Sequence, residues 1–177
     1  MSLLKIFTVP HPVLRGQAAP VEKIDDEVRA TLHNMAETMY AAPGVGLAAP
    51  QVGILRRFIV VDTNWREDED VDRHPLLLIN PQVVWASEER SVWNEGCLSI
   101  PQQYAEVERP ARVKVQYQDL QGTTQIVEGD GLLSHCLQHE IDHLNGVLFI
   151  DYLSKLKRDI ILRKVKKITQ ASDADVM

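Results

Sequence analysis

The chain has 177 residues, 45% hydrophobic and 25% charged, with a formal net charge of -6. That length suits one compact domain with a sizeable core, and the acidic balance argues against a general nucleic-acid binder, so no DNA partner is expected. No apolar run approaches the roughly 20 residues needed to span a bilayer. The opening stretch MSLLKIFTVPHPVLR lacks the long apolar segment and cleavage site of a signal peptide. A cytoplasmic location with no membrane partner is the expectation.

Residues 21–40 place Ile24, Val28, Leu32, Met35 and Met39 at helical spacing, with Asp25 or Asp26 as N-cap. A small-residue loop, APGVGLAAPQ, follows. Phe58 to Asp62 and Leu76 to Asn80 read as buried strands on either side of an acidic surface loop. RVKVQYQDLQG alternates Val113, Val115 and Tyr117, predicting a half-buried strand that turns at Gln121-Gly122 into a partner near Gln125 to Val127. A helix is expected from about Gly131 to Asn145-Gly146, and a last helix over LSKLKRDIILRKVKKI. Residues 171–177 are expected to form a disordered tail. No repeat or linker interrupts the chain, so the fold class is α+β in a single domain, residues 1–177.

The helix from Gly131 carries the chemistry. Leu133, Leu137, Ile141 and Leu144 share an apolar face, and Cys136, His139, Glu140 and His143 fall on a neighbouring arc. The run HEIDH is an H-E-x-x-H spacing, in which two His one turn apart can grip one ion beside a carboxylate. A solvated polar helix face is the plain alternative. His135 with His139 is a competing pair, but His135 and His143 lie about 12 Å apart along the axis and cannot easily share an ion. The pair flanking Glu140 is preferred because it brings the carboxylate to the ion. No histidine follows His143, and Asp151 and Asp159 lack an obvious geometry, so a third ligand is expected upstream. Of the two cysteines, Cys97 and Cys136, neither is expected in a disulfide in a reducing compartment.

Three stretches, GVGLAAPQ (Gly44 to Gln51), EGCLS (Glu95 to Ser99) and QHEIDH (Gln138 to His143), resemble the motifs of the peptide deformylases. They agree at every specified position, and the resemblance covers nearly the whole chain. It implies antiparallel β-sheets packed around a central metal-binding helix, with a C-terminal helix. It implies a hydrolase that removes the N-formyl group from the N-terminal methionine of newly synthesised polypeptides, releasing formate. By the same resemblance Cys97, His139 and His143 bind one ion per chain, iron(II) natively, with zinc or nickel also accepted. Three protein ligands with an open position is the pattern of a catalytic site.

Glu140 is then the general base and acid, and Gln51 and the Leu98 N–H are the oxyanion donors. The resemblance also implies that backbone groups of Val45, Gly46 and Gly96 hydrogen-bond the extended peptide and that Glu95 supports the site from behind. By family position Trp93, Leu132, His135 and Cys136 are expected to line the methionine pocket; Trp93 and His135 stand where aliphatic residues are common in the family, and Tyr104 where some members carry arginine. The basic stripe Lys155, Lys157, Arg158, Arg163, Lys164, Lys166 and Lys167, on a helix with Ile160, Ile161, Val165 and Ile168 as its apolar side, is expected to meet ribosomal RNA. A zinc endopeptidase and a non-catalytic metal-binding module docking on the translation machinery are the alternatives.

Overall fold

A computed structural model describes residues 2–68 and 72–176. Seven strands and three helices follow in the order α1 (Asp26–Ala41), β1 (Gly46–Ala48), β2 (Phe58–Val61), β3 (Leu76–Ala86), β4 (Arg90–Cys97), β5 (Ile100–Pro110), β6 (Arg112–Gln118), β7 (Thr124–Asp130), α2 (Gly131–Leu144) and α3 (Lys155–Val176). Strands β1-β2-β3-β6-β7 form an antiparallel sheet in that order, and β4 pairs with β5 in a separate hairpin.

Side-chain alternation explains how the sheet holds a helix on each face. In β2, Phe58 and Val60 join the core cluster of α1, whereas Ile59 and Val61 join that of α2. Leu77 and Ile79 of β3 face α1, and Leu76 and Leu78 face α2. A strand covered on both faces needs a continuous apolar run, which is what FIVV and LLLI supply. A third cluster joins Ile100 and Val107 of β5 to Phe149, Ile150, Ile161 and Val165. The hairpin is thus fixed to α3 on one side while its other side turns toward α2.

Caps set the ends of the helices. The Asp25 side chain accepts a hydrogen bond from the Val28 N–H (3.0 Å), so α1 begins one residue later. Asn145 caps α2, and Gly146 follows at φ 72, where a Cβ would stand 2.6 Å from the Arg15 carbonyl oxygen. Glycine is required there twice over, by conformation and by contact.

Three expectations change. Residues 90–97 and 100–110 form a hairpin that the sequence pattern did not separate from loop, because polar residues break up any regular apolar alternation in it. Ile160 is exposed, and the buried side of α3 is Ile161 and Val165 with Leu162 beside them. The helix runs on through 171–176, where a disordered tail was expected, since each residue added to a helix already anchored by packing gains one backbone hydrogen bond; Met177 lies outside the described residues. No described helix is long and apolar enough to cross a membrane.

Candidate metal centre and active site

Helix α2 is pressed between the sheet and the hairpin, so its polar arc is buried. His139, Glu140 and His143 are 8%, 3% and 1% exposed, which excludes a solvated face. Cys97 ends β4 where the ladder jumps from Gly96↔Tyr104 to Cys97↔Ile100, looping out residues 101–103 with Gln102 at φ 61. Irregularities of this kind re-aim side chains beside functional sites. Here Cys97 Sγ comes 3.4 Å from His143 Nε2. Donor atoms of Cys97, His139 and His143 all lie within 4.8 Å of one another, a group that could hold a metal ion.

His135 is outside that group. Its Nδ1 sits 3.0 Å from Glu95 Oε2, and its Nε2 is 2.9 Å from Ser91 Oγ. His139 Nδ1 meets the other oxygen, Glu95 Oε1, at 2.9 Å. A carboxylate on Nδ1 orients the ring and leaves the Nε2 lone pair for a ligand. Arg109 grips both Glu95 oxygens (Nε to Oε2 2.7 Å, Nη2 to Oε1 3.0 Å) and also donates to Asp142 (2.9 Å), which accepts from the Tyr152 hydroxyl (2.7 Å). Burial opposes ionisation of Glu95, yet the hydrogen bonds from His139 and Arg109 hold its pKa down at about 2. The network therefore keeps a fixed negative charge behind His139.

Glu140 is different. Burial pushes its pKa up to about 7, and Oε1 has no hydrogen-bond partner among the described residues, standing 3.9 Å from His143 Nε2. Such a carboxylate is poised to take and return a proton near neutral pH. Burial, with Glu140 and Glu95 nearby, pushes the Cys136 thiol well above its usual range, so it stays protonated and turns to the Val45 carbonyl at 3.5 Å.

Gln51, buried at the end of the Gly44 loop, accepts from the Ala48 N–H through Oε1 (2.9 Å). That bond fixes its amide, so Nε2 points to Ser99 Oγ (3.0 Å) and Cys97 Sγ (3.5 Å). Gly46 approaches α2 so closely that a Cβ would stand 2.6 Å from Glu140 Oε2 and 2.8 Å from Cys136 Sγ.

A cleft of about 770 Å³ opens above the group. Val45 and Gly46 form one wall, and Trp93, Glu95, Gly96, Leu98 and Tyr104 the other. Leu132, His135, Cys136, His139 and Glu140 of α2 also line the cleft, as does Gln51, whereas His143 does not. Among the described residues β1 is the edge of its sheet and β4 pairs with β5 alone, so each wall has one side without a strand partner.

Every site residue expected from sequence except His143 therefore lines one cavity. Sequence reasoning missed Arg109, Asp142, Ser99 and Ser91, which hold Glu95, Gln51 and His135. It also missed Trp65, whose Nε1–H donates to the Gly44 carbonyl (3.0 Å). Only the β4–β5 register could have pointed to Arg109, by placing it opposite Ser91 and within reach of Glu95.

Comparison with known proteins gives the same reading. The model of the polypeptide deformylase family matches residues 3–159. A peptide deformylase of Rhizobium meliloti is 54% identical over 98% of this chain and 98% of its own, and one of Phenylobacterium zucineum is 51% identical over 97% and 100%. The crystal structure of a peptide deformylase from Legionella pneumophila superposes with a TM-score of 0.89 at 40% identity, covering 97% of this chain and 98% of that one. That from Ehrlichia chaffeensis in complex with actinonin gives 0.88 at 46% identity, covering 94% and 98%. The chain belongs to the peptide deformylase family, metal-dependent hydrolases that remove the N-formyl group from N-formyl-methionyl polypeptides.

Proposed function

We propose that this cleft deformylates the N-terminal methionine of nascent polypeptides in the cytoplasm, through the residues that follow. The observation that carries the assignment is the buried, unpartnered Glu140 Oε1, 3.9 Å from His143 Nε2 and beside the Cys97–His139–His143 group. One thiolate and two imidazoles fit a divalent ion with a position left open. When bound, such an ion lowers the pKa of a water and polarises the formyl carbonyl.

Glu140 takes the proton of the attacking water as its oxygen bonds to the formyl carbon. Gln51 Nε2 and the Leu98 N–H donate to the oxyanion that develops on the former carbonyl oxygen. As the C–N bond breaks, Glu140 returns the proton to the departing amine, leaving formate and a free methionyl N-terminus. Backbone groups of Val45, Gly46 and Gly96 hold the peptide as an added strand between the two unpaired edges. Trp93, Leu132, His135 and Cys136 enclose the methionine side chain, a flexible apolar group. Only hydrogen sits on the formyl carbon, so a close-packed site admits formyl and excludes acetyl.

Iron(II) is proposed as the native ion, with zinc or nickel accommodated by the same donors. Metal analysis after anaerobic purification, set beside activity before and after exposure to air, tests this; a zinc-loaded enzyme equally active and indifferent to air contradicts it. The exposed Lys164, Lys166 and Lys167 of α3 support a ribosomal contact. Reversing their charge should abolish co-sedimentation with ribosomes at low salt while activity on a short formyl peptide persists; unchanged co-sedimentation refutes the contact. Deformylation itself is tested on formyl-Met-Ala-Ser, where Glu140→Ala should keep its ion and lose about 10²–10⁴-fold in turnover.

A further inference from the structure

His135 stands one turn before His139 and is 1% exposed, yet it is no member of the metal-ligand group. Its neighbours come from a single face of one strand. Residues two apart on a strand point the same way, and His135 touches three in succession on β4. Ser91 Oγ meets Nε2 at 2.9 Å, the Trp93 ring lies with its centroid 6.1 Å from the imidazole, and Glu95 Oε2 meets Nδ1 at 3.0 Å.

These contacts join the two elements that supply the site. Helix α2 carries His139 and His143, and β4 ends at Cys97. Glu95 receives His135 on one oxygen and His139 on the other, so displacing His135 removes one of the bonds that orient the carboxylate behind His139. Trp93 is 38% exposed and lines the cleft beside His135, their ring centroids 6.1 Å apart.

We propose that His135 is a positioning residue that acts through Glu95 on the metal ligand His139 and through Trp93 on the side-chain pocket, locking β4 in register with α2. This rests on Cys97, His139 and His143 being the metal site. The polar atoms of His135 are both engaged with β4, so its ring offers the cleft no free donor, and it shapes the side-chain pocket by its bulk and by holding Trp93. Because the two effects leave by different atoms, they separate by substitution. An asparagine Nδ2 can take the place of Nδ1 and keep the Glu95 bond, but it has no ring for Trp93 and nothing to reach Ser91. A leucine keeps bulk and loses all three polar or aromatic contacts.

The test measures zinc affinity against a chelating dye, the absorption spectrum of the cobalt-loaded protein, and KM and kcat on formyl-Met-Ala-Ser, for His135→Leu, His135→Asn and Ser91→Ala. His135→Leu is expected to weaken zinc binding by about 10–100-fold, shift the cobalt bands, and raise KM about tenfold. His135→Asn should keep zinc affinity within about threefold of the parent while raising KM as much. Ser91→Ala should shift in the direction of His135→Leu by a smaller factor, and carries the test together with His135→Asn if the leucine variant does not fold. Wild-type zinc affinity, cobalt spectrum and KM in His135→Leu would overturn the proposal, as would equal zinc loss in the asparagine and leucine variants. Cys97→Ser, measured alongside, reports on the metal site itself: loss of the ion there, with parental behaviour of His135→Leu, refutes the positioning role and leaves that site standing.

Discussion

A single methyl group placed at Gly46 should silence the enzyme while every polar side chain of the site stays chemically unchanged. Cβ of Gly46→Ala would stand 2.6 Å from Glu140 Oε2, 3.0 Å from its Cδ and 2.8 Å from Cys136 Sγ. An ordinary carbon–oxygen contact is roughly 0.8 Å longer than the first of these, and close-packed interiors do not absorb such overlaps freely. Glu140 and Cys136 sit on the same buried helix, so the carboxylate must swing or α2 must recede. Overpacking of this kind costs about 1–3 kcal/mol of stability. If Glu140 is the general base, as proposed, displacing it removes an effect of about 10²–10⁴ in rate, or roughly 3–5 kcal/mol of barrier. Gly16→Ala is the control: its Cβ would strike the Leu55 side chain at 2.8 Å, far from the cleft, and should cost stability with turnover unchanged. The assay is steady-state deformylation of formyl-Met-Ala-Ser with bound metal and thermal midpoint determined on the same samples. A folded, metal-loaded Gly46→Ala whose kcat stays within threefold of the parent would refute the reasoning.

Further outcomes follow from the buried network. Glu95, held at about 2 against an ordinary 4.5, contributes stability that is complete above pH 4.5 and lost as pH falls through 2, about 3 kcal/mol in all; urea melts across that range should flatten in Glu95→Gln, and an unchanged slope would exclude the role. Arg109→Met, which leaves Glu95 buried without its bidentate partner, should cost roughly 3–5 kcal/mol in the same melts. Cys97→Ser should lose most of its bound ion while Cys136→Ala keeps about one per chain, because the Cys136 thiol stays protonated; equal loss in both would break the ligand assignment. Gly146→Ala should destabilise by about 1–3 kcal/mol through its left-handed backbone and the Arg15 carbonyl, with kcat on the short peptide unaffected.

The parts of the fold that were legible in the sequence are those where one physical signal dominates. Phe58 to Val61 and Leu76 to Ile79 are covered on both faces, and their unbroken apolar runs say so. Asp25 and Gly146 mark helix ends because capping and left-handed backbone each favour few residue types. The β4–β5 hairpin was hidden because its composition answers to the site: Ser91, Trp93 and Glu95 face His135, and Val92 and Asn94 face solvent. The expected ligand trio followed from motif and resemblance, whereas the rival pair His135–His139 is set aside by the structure because Ser91 Oγ meets His135 Nε2 while Glu95 meets its Nδ1. Arg109 and Ser99 were invisible for the same reason, since each acts on a residue distant in sequence.

In the proposed mechanism Glu140 moves protons beside an ion held by Cys97, His139 and His143. Its most direct test is formate release from formyl-Met-Ala-Ser and from acetyl-Met-Ala-Ser by the parent enzyme and by Glu140→Ala, with the ion counted in each sample. The parent should release formate rapidly from the formyl peptide and leave the acetyl peptide uncleaved, and Glu140→Ala should hold about one ion and be slower by about 10²–10⁴-fold. A Glu140→Ala protein that retains its ion and turns over within a few-fold of the parent would contradict that mechanism.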